Sequence, residues 1–194
     1  GTVDMTGLSR TAEGLVLCQV AVAQKTNEIT AAPQVLQCLD LRGKVVIGDA
    51  LHTQRAISVQ IVASGADYVW YAKDNQPSLR ADIALTFQPE VCGPGSKPVP
   101  TVVASDMQTD KGHGRIEKRT LTSSVLLKDY LNWPHAAQVF KLERQVWDLQ
   151  MKPLRAEVVY GLTSLSAAQA GPARLLQLTR GYWGIENGLH YRRD

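Results

Sequence analysis

The sequence lacks several features that would place it in a familiar class of protein. It has only three cysteines, Cys18, Cys38 and Cys92, whose wide spacing excludes a CxxC zinc site and gives no disulfide framework. We expect all three to be reduced, buried thiols. No apolar run reaches the roughly 18 residues that a membrane-spanning helix needs, and no signal peptide opens the sequence. We therefore expect a cytoplasmic protein with no membrane partner.

Two further shortages concern ligands. No glycine-rich loop of the GxGxxG or GxxxxGK[ST] type is present, which disfavours a nucleotide-binding module. The net charge is only +3, too small to establish a nucleic-acid partner by itself. Basic residues nevertheless cluster around His113 and near the carboxyl end, where they could neutralise phosphates. For the first cluster, surface charge balanced by Asp110 and Glu117 is an equal alternative.

The residues that are present predict an α/β fold. Hydrophobic residues make up 44% and charged residues 20%, as in ordinary globular proteins. Strand patterns at 14–22, 44–49 and 67–72 are each followed by a helical pattern, beginning near Thr30, Thr53 and Pro77. Such alternation predicts right-handed crossovers and a largely parallel sheet. We expect residues 2–8 to be the hairpin partner of strand 14–22.

The second half of the chain has a different pattern. After Gln88, prolines and glycines mark a loop, and β-rich runs follow at 101–108, 115–123, 138–148 and 155–165, with a short helix expected at 126–133. We predict three parts on this basis. Residues 1–87 form the first part of the core, residues 88–153 a β-rich insertion, and residues 154–194 a core strand and the final helix.

Two carboxylates are the candidates for chemistry. Asp49 follows a short buried strand, and ligands of parallel sheets bind at the carboxyl ends of strands. The alternative is that Asp49 caps the turn that follows it. If residues 180–194 are helical, Glu186 shares a face with His190 and Arg193. Mg²⁺ prefers oxygen ligands, so the two carboxylates could hold it together.

Four segments, taken in order, resemble one family. They are Ile47-Gly48-Asp49-Ala50, the stretch from Gly65-Ala66-Asp67-Tyr68-Val69 to Lys73-Asp74-Asn75-Gln76-Pro77, the run Lys111-Gly112-His113-Gly114-Arg115-Ile116-Glu117-Lys118-Arg119, and Arg180-Gly181-Tyr182-Trp183-Gly184-Ile185-Glu186-Asn187-Gly188-Leu189-His190. Together they resemble DDE-type transposases of bacterial insertion sequences, in the subgroup of H-repeat-associated proteins. The resemblance covers nearly the whole chain.

This resemblance implies a ribonuclease-H-like mixed sheet with flanking helices and an inserted antiparallel β-rich region. It also implies an Asp, Asp, Glu triad that binds Mg²⁺ or Mn²⁺ to cut and join DNA. Asp49 matches the second aspartate and Glu186 the glutamate, as catalytic and metal-binding residues. The implied partner is DNA, namely the transposon ends, and a homodimer is allowed.

The candidate DNA contacts include residues with simpler alternatives. Asn75 could instead cap a helix, His113 could form a plain turn, and His190 could orient Glu186. The full set of candidates is Lys73, Asn75, His113, Arg115, Lys118, Arg119, Arg180, His190 and Arg193.

The chain also departs from the family pattern. The strand that carries the first catalytic aspartate is expected to be missing, so the domain reads as truncated at both ends. Asp4 is the only acidic residue in the opening strand, but aligning on Gly14-Leu15-Val16-Leu17 places it in the second strand. It also lacks the Gly-Lys that usually follows the first aspartate of the family. We expect the chain as given not to cleave or join DNA unless Asp4 substitutes for that aspartate. The alternatives are a non-catalytic DNA-binding remnant and an unrelated α/β ligand-binding module.

Overall fold

The computed structural model describes residues 2–4, 9, 10, 16–18, 33, 36–48, 50–88 and 103–180. The strands in these ranges are β1 (Thr2–Asp4), β2 (Ser9–Arg10), β3 (Val16–Cys18), β4 (Val45–Gly48), β5 (Asp67–Ala72), β6 (Val103–Gly112), β7 (Arg115–Ser124), β8 (Gln138–Asp148) and β9 (Pro153–Thr163). The helices are α1 (Arg55–Ala63), α2 (Pro77–Thr86) and α3 (172–180), with a 3-10 turn at Ala50–His52. None of the helices described is long and apolar enough to cross a membrane.

Seven strands form one sheet in the order β1-β4-β5-β9-β8-β7-β6. Neighbours β1, β4 and β5 run parallel, whereas the remaining pairings are antiparallel. Strands β2 and β3 form a separate antiparallel pair. The predicted α/β fold, a mixed sheet with flanking helices and added antiparallel strands, is therefore confirmed.

The sheet has a hydrophobic core on each face. Strand β5 is buried on both faces, as its continuous apolar sequence predicts. On one face, its Tyr68 and Trp70 pack against α1 and α2. On the other face, Val69 and Tyr71 pack in a cluster with the leucines of α3. The face that α3 covers is the one that matters for the candidate site.

The opening of the chain differs from expectation. Residues Thr2–Asp4 do not form a hairpin partner for β3, which instead pairs with Ser9–Arg10. They form β1, which lies parallel to β4, so a strand does occupy the position that we expected to be missing. An unpaired edge beside the buried strand β4 would leave backbone groups without hydrogen bonds. A strand of three residues is enough to pair them.

Three smaller expectations are also wrong. Thr53 does not cap α1, because its hydroxyl donates to the backbone oxygen of Tyr71 at 2.7 Å and Gln54 takes the N-cap position. Residues 126–133 form turns rather than a helix, since Pro134 disfavours a helical conformation at the residue before it. Cys38 is an exposed free thiol rather than a buried one, because it lies in a surface turn.

One hydroxyl group accepts hydrogen bonds from two buried tryptophans beneath α1. Ser58 accepts hydrogen bonds from the indole nitrogens of Trp70 at 2.9 Å and Trp133 at 3.2 Å. We expect Ser58→Ala to lower the free energy of unfolding by about 2 kcal/mol, because both buried donors lose their acceptor. Urea denaturation followed by tryptophan fluorescence measures this. Ser78→Ala, on the exposed side of α2, is the control, and an equal loss in both variants would contradict the assignment.

Candidate functional site

Two parallel strands end side by side at the proposed site. Strand β1 ends at Asp4 and β4 ends at Gly48, directly before Asp49 in the sequence. Asp4 is the Cα partner of Ile47, so the two strand ends lie at the same edge of the sheet. Asp49 itself lies outside the described residues, as do Glu186, His190 and Arg193. Shared metal binding by Asp49 and Glu186 therefore stays a prediction.

The last described helix, α3, covers the face of the sheet on which Ile47, near the end of β4, is buried. Ile47, two residues before Asp49, is in one buried cluster with Leu175, Leu176 and Leu178 of α3. Pro172 opens this helix, a position at which proline costs no hydrogen bond. The helix that leads toward Glu186 in the sequence thus packs against the strand that leads to Asp49.

The segment that follows Asp49 is held by amide side chains from the end of β5. The side-chain amide of Asn75 donates to the backbone oxygen of Ala50, and that of Gln76 donates to the backbone oxygen of Thr53 at 3.2 Å. Asn75 is not a helix cap, because Gln76 is the residue before the first turn of α2. Lys73, which follows β5 directly, is exposed.

The basic residues around His113 lie on a hairpin between β6 and β7. His113 and Gly114 have φ angles of 50° and 72°, as a two-residue turn with both residues in the left-handed region requires. Lys111, His113 and Arg115 are exposed at this tip, and Lys118 is partly buried. The tip therefore presents positive charge to the solvent.

Other basic residues are engaged in a network of ion pairs across the sheet. Glu117 contacts Arg119 and accepts two hydrogen bonds from Arg144, at 2.6 and 3.1 Å. The carboxylate of Asp110 forms salt bridges with the guanidinium groups of Arg119 and Arg180, each with an N···O distance of 3.2 Å. The network continues to Glu157 and Arg155 on β9. Two predicted DNA contacts, Arg119 and Arg180, are thus paired with carboxylates. The pair of Arg180 with Asp110 joins α3 to the sheet.

The hydrogen bonds from Arg144 lower the pKa of the Glu117 carboxyl, and the nearby charge of Arg119 acts in the same direction. Burial opposes them, because it disfavours the charged form. The net shift is downward, so Glu117 is a carboxylate at neutral pH. Sequence reasoning missed Arg144 and Glu157, which come together only through the register of β7, β8 and β9.

A comparison with protein families decides the identity of the domain. Residues 3–194 match the family described as Transposase DDE domain. The chain belongs to this family. Membership excludes the alternative of an unrelated α/β ligand-binding module.

Relatives of this DDE domain are found in bacteria. The chain is 28% identical over its whole length to "H repeat-associated putative transposase YhhI" of Escherichia coli K12, covering 50% of that protein. It is 32% identical to "H repeat-associated putative transposase YbfD" of the same organism, over 61% of the chain and 45% of that protein. The predicted H-repeat-associated subgroup is confirmed. The chain spans about half the length of these relatives.

A solved structure shows a weaker similarity. The cryo-EM structure of a piggyBac transposase synaptic complex with hairpin DNA has a TM-score of 0.35 and 11% identity, over 90% of this chain and 29% of that chain. A similarity at this level carries no weight for the site. Among the described residues of the DDE domain, no group of three or more His, Cys, Asp or Glu side chains could hold a metal ion.

Proposed function

We propose that this DDE domain cleaves and joins DNA strands at transposon ends, using Mg²⁺ or Mn²⁺ bound by Asp4, Asp49 and Glu186. The proposal restores the first carboxylate of the family triad, whose apparent absence predicted an inactive chain. Asp4 lacks the Gly-Lys that usually follows the first aspartate in this family, so the proposal rests on its place in the sheet.

One observation carries the proposal. The carboxyl end of β1 lies beside the carboxyl end of β4 in a parallel pair, with Asp4 level with Ile47. The leucines of α3 cover the same face at Ile47. These placements support a common site for Asp4, for Asp49, which follows β4 in the sequence, and for Glu186, which follows α3 in the sequence. Parallel strands that end together are where ligands bind in open α/β sheets.

The donor set fits the proposed ions. Carboxylate oxygens are hard ligands, and Mg²⁺ and Mn²⁺ prefer oxygen donors and retain waters that phosphate oxygens can replace. Bound ions would activate the attacking water or hydroxyl and stabilise the leaving oxygen. The chain's own part is to hold the carboxylates at one edge of the sheet.

The proposal is tested by nicking of supercoiled DNA in the presence of Mg²⁺ or Mn²⁺. We expect the chain to nick DNA and the activity to be lost in both Asp49→Asn and Glu186→Gln. A chain that binds DNA but never nicks it, with either ion, would favour the non-catalytic DNA-binding remnant. Nicking that survives both substitutions would show that these carboxylates are not the metal ligands.

For DNA binding, we propose that the exposed hairpin tip makes the phosphate contacts. Lys111, His113 and Arg115 are exposed there. Among the described residues, no carboxylate forms a salt bridge with Lys111 or Arg115. Arg119 and Arg180 are paired with Asp110, so we give them a smaller part. The other candidate contacts with DNA stay proposals, namely Lys73, Asn75, Lys118, His190 and Arg193. A homodimer, the domain boundaries and a cytoplasmic location stay proposals as well.

We expect reversing the charge of Lys111 and Arg115 together to weaken DNA binding and to flatten its dependence on salt. Removing one phosphate contact lowers the slope of log affinity against log salt by about 1. Fluorescence anisotropy with a labelled duplex, at several salt concentrations, measures both quantities. The control is Arg42→Glu with Lys128→Glu, which makes the same charge change at exposed positions elsewhere. Equal effects of the two double variants would mean that only net charge matters.

A further inference from the structure

The residues after Asp49 are unusually well anchored for a segment that joins a strand to a helix. Ala50, His52 and Thr53 are buried, with exposed fractions of 7%, 4% and 0%. The backbone N–H of Thr53 donates to the oxygen of Ala50 at 3.2 Å, which closes the 3-10 turn. The hydroxyl of Thr53 donates to the oxygen of Tyr71 on β5. This segment is therefore fixed to the neighbouring strand.

Two amide side chains add a second set of anchors from the loop after β5. Asn75 donates to the oxygen of Ala50, the residue that directly follows Asp49. Gln76 donates to the oxygen of Thr53. Both acceptors are backbone oxygens, so the bonds fix the path of the chain and not the rotamer of one side chain. Pro77 begins α2 immediately afterwards and restricts the backbone conformation of Gln76, the residue before it.

We propose that Asn75, assisted by Gln76, is a positioning residue that sets the backbone at Asp49 for metal binding. This inference rests on the proposed function, because it assigns Asn75 a part in the same metal site. It gives the Asn75 side chain a structural role that needs no contact with DNA. The side-chain amide of Asn75 uses one of its two N–H groups for the bond to Ala50, and the residue is otherwise exposed.

The physical reason is the narrow tolerance of metal ligation. A carboxylate that holds a divalent ion must keep its oxygens within a few tenths of an ångström of the coordination distance. Residues that orient ligands from behind typically change metal affinity by about 10-fold to 100-fold when they are removed. Asn75 acts on the backbone next to the ligand, so we expect the lower end of that range.

The test is a double-mutant cycle on Mn²⁺ affinity, measured by electron paramagnetic resonance of the free ion, without DNA. We expect Asn75→Ala to weaken Mn²⁺ binding about 10-fold when Asp49 is present. In the Asp49→Asn background, we expect Asn75→Ala to have no further effect. A residue that acts through Asp49 gives this pattern, whereas a loss of general stability lowers affinity in both backgrounds.

A matched control removes a similar bond elsewhere. The side-chain amide of Gln60 donates to the oxygen of Pro33 at 2.9 Å, so Gln60→Ala also deletes one amide-to-backbone bond. We expect Gln60→Ala to leave Mn²⁺ affinity unchanged, at a loss of thermal stability similar to that of Asn75→Ala. An equal loss of Mn²⁺ affinity in Gln60→Ala would overturn the positioning role.

The outcomes also separate this inference from the proposed function. If the chain binds Mn²⁺ more tightly than Asp49→Asn does, but Asn75→Ala binds it as well as the unsubstituted chain, the metal site stands and the positioning role is wrong. If the chain binds Mn²⁺ no better than Asp49→Asn, the proposed metal site itself is wrong, and the role of Asn75 is rejected with it.

Discussion

We expect Asp4→Asn to slow metal-dependent nicking of DNA by about 10³-fold, because metal ligation contributes several kcal/mol to transition-state stabilisation and each 1.36 kcal/mol is a factor of ten. The substitution keeps the size of the side chain and removes its charge. Asp4 ends β1 beside the strand that leads to Asp49, so its loss would remove one of three proposed ligands. The rate of conversion of supercoiled to open-circular plasmid, in Mg²⁺ and in Mn²⁺, measures the effect.

The matched control is Asp74→Asn, which makes the same chemical change in the loop after β5. The side chain of Asp74 is 97% exposed and pairs only weakly with Arg80 at 3.3 Å, so we expect no change in nicking. One outcome would contradict the role of Asp4. If nicking survives in Asp4→Asn but disappears in Asp49→Asn, two carboxylates are sufficient and Asp4 is a structural residue.

Sequence patterns predicted the strands in which buried residues alternate with exposed ones or follow one another without a break. Strand β5 was predicted at its observed bounds, and β8 likewise, because both carry strong apolar patterns. The pattern could not predict β1, since three residues carry no periodicity and its partner β4 is distant in the sequence. Which strand fills the edge beside β4 is decided by the need to pair backbone groups there, a requirement that local sequence does not display.

The candidate site depends on residues that the sequence suggested and that stay predictions, Asp49 and Glu186. Its place after a buried strand made Asp49 a candidate. Local sequence assigns Asn75 two alternative roles, and neither is the bond to Ala50 that the structure shows. That bond joins residues 25 positions apart and depends on β4 lying next to β5. The spacing of residues along a short segment predicts helix faces and turns. Contacts between neighbouring strands depend on the order of the strands in the sheet, which that spacing does not show.

Strand register also explains why Arg119 resembles a free basic residue in the sequence. There, Glu117 and Arg119 alternate with apolar and polar residues, as on many surface strands. In the sheet, Arg119 is directly opposite Arg144, and Asp110 is directly opposite Glu117. Like charges directly opposite are unfavourable. Glu117 relieves the arginine pair by lying diagonally between the two guanidinium groups, which makes it the centre of the network.

Removing that central carboxylate is expected to destabilise the fold strongly. The Glu117 side chain is 9% exposed, and those of Arg119 and Arg144 are 17% and 19% exposed. Breaking a buried ion pair typically costs about 3–5 kcal/mol, because the remaining charge is left without a partner. The partial exposure of both arginines reduces this, so we expect Glu117→Gln to lower the free energy of unfolding by about 3 kcal/mol at pH 7.

The dependence on pH distinguishes this electrostatic effect from a loss of packing. The pKa of Glu117 is lowered in the folded chain, chiefly by the hydrogen bonds from Arg144. Its contribution is therefore fully present above the ordinary glutamate pKa of about 4.3 and is lost as the pH falls through the lowered folded value. The difference in stability between the original chain and Glu117→Gln should be constant at neutral pH and shrink below about pH 5.

Urea denaturation at a series of pH values, followed by circular dichroism, measures this difference. The control is Glu143→Gln, since Glu143 is 37% exposed and pairs with Lys141 at 3.0 Å on the opposite face of β8. A pair that exposed contributes at most about 1 kcal/mol, so the control should lose little stability at any pH. If Glu117→Gln stays equally destabilised at acid pH, the arginines do not depend on the charge of Glu117, and packing around its side chain is the cause.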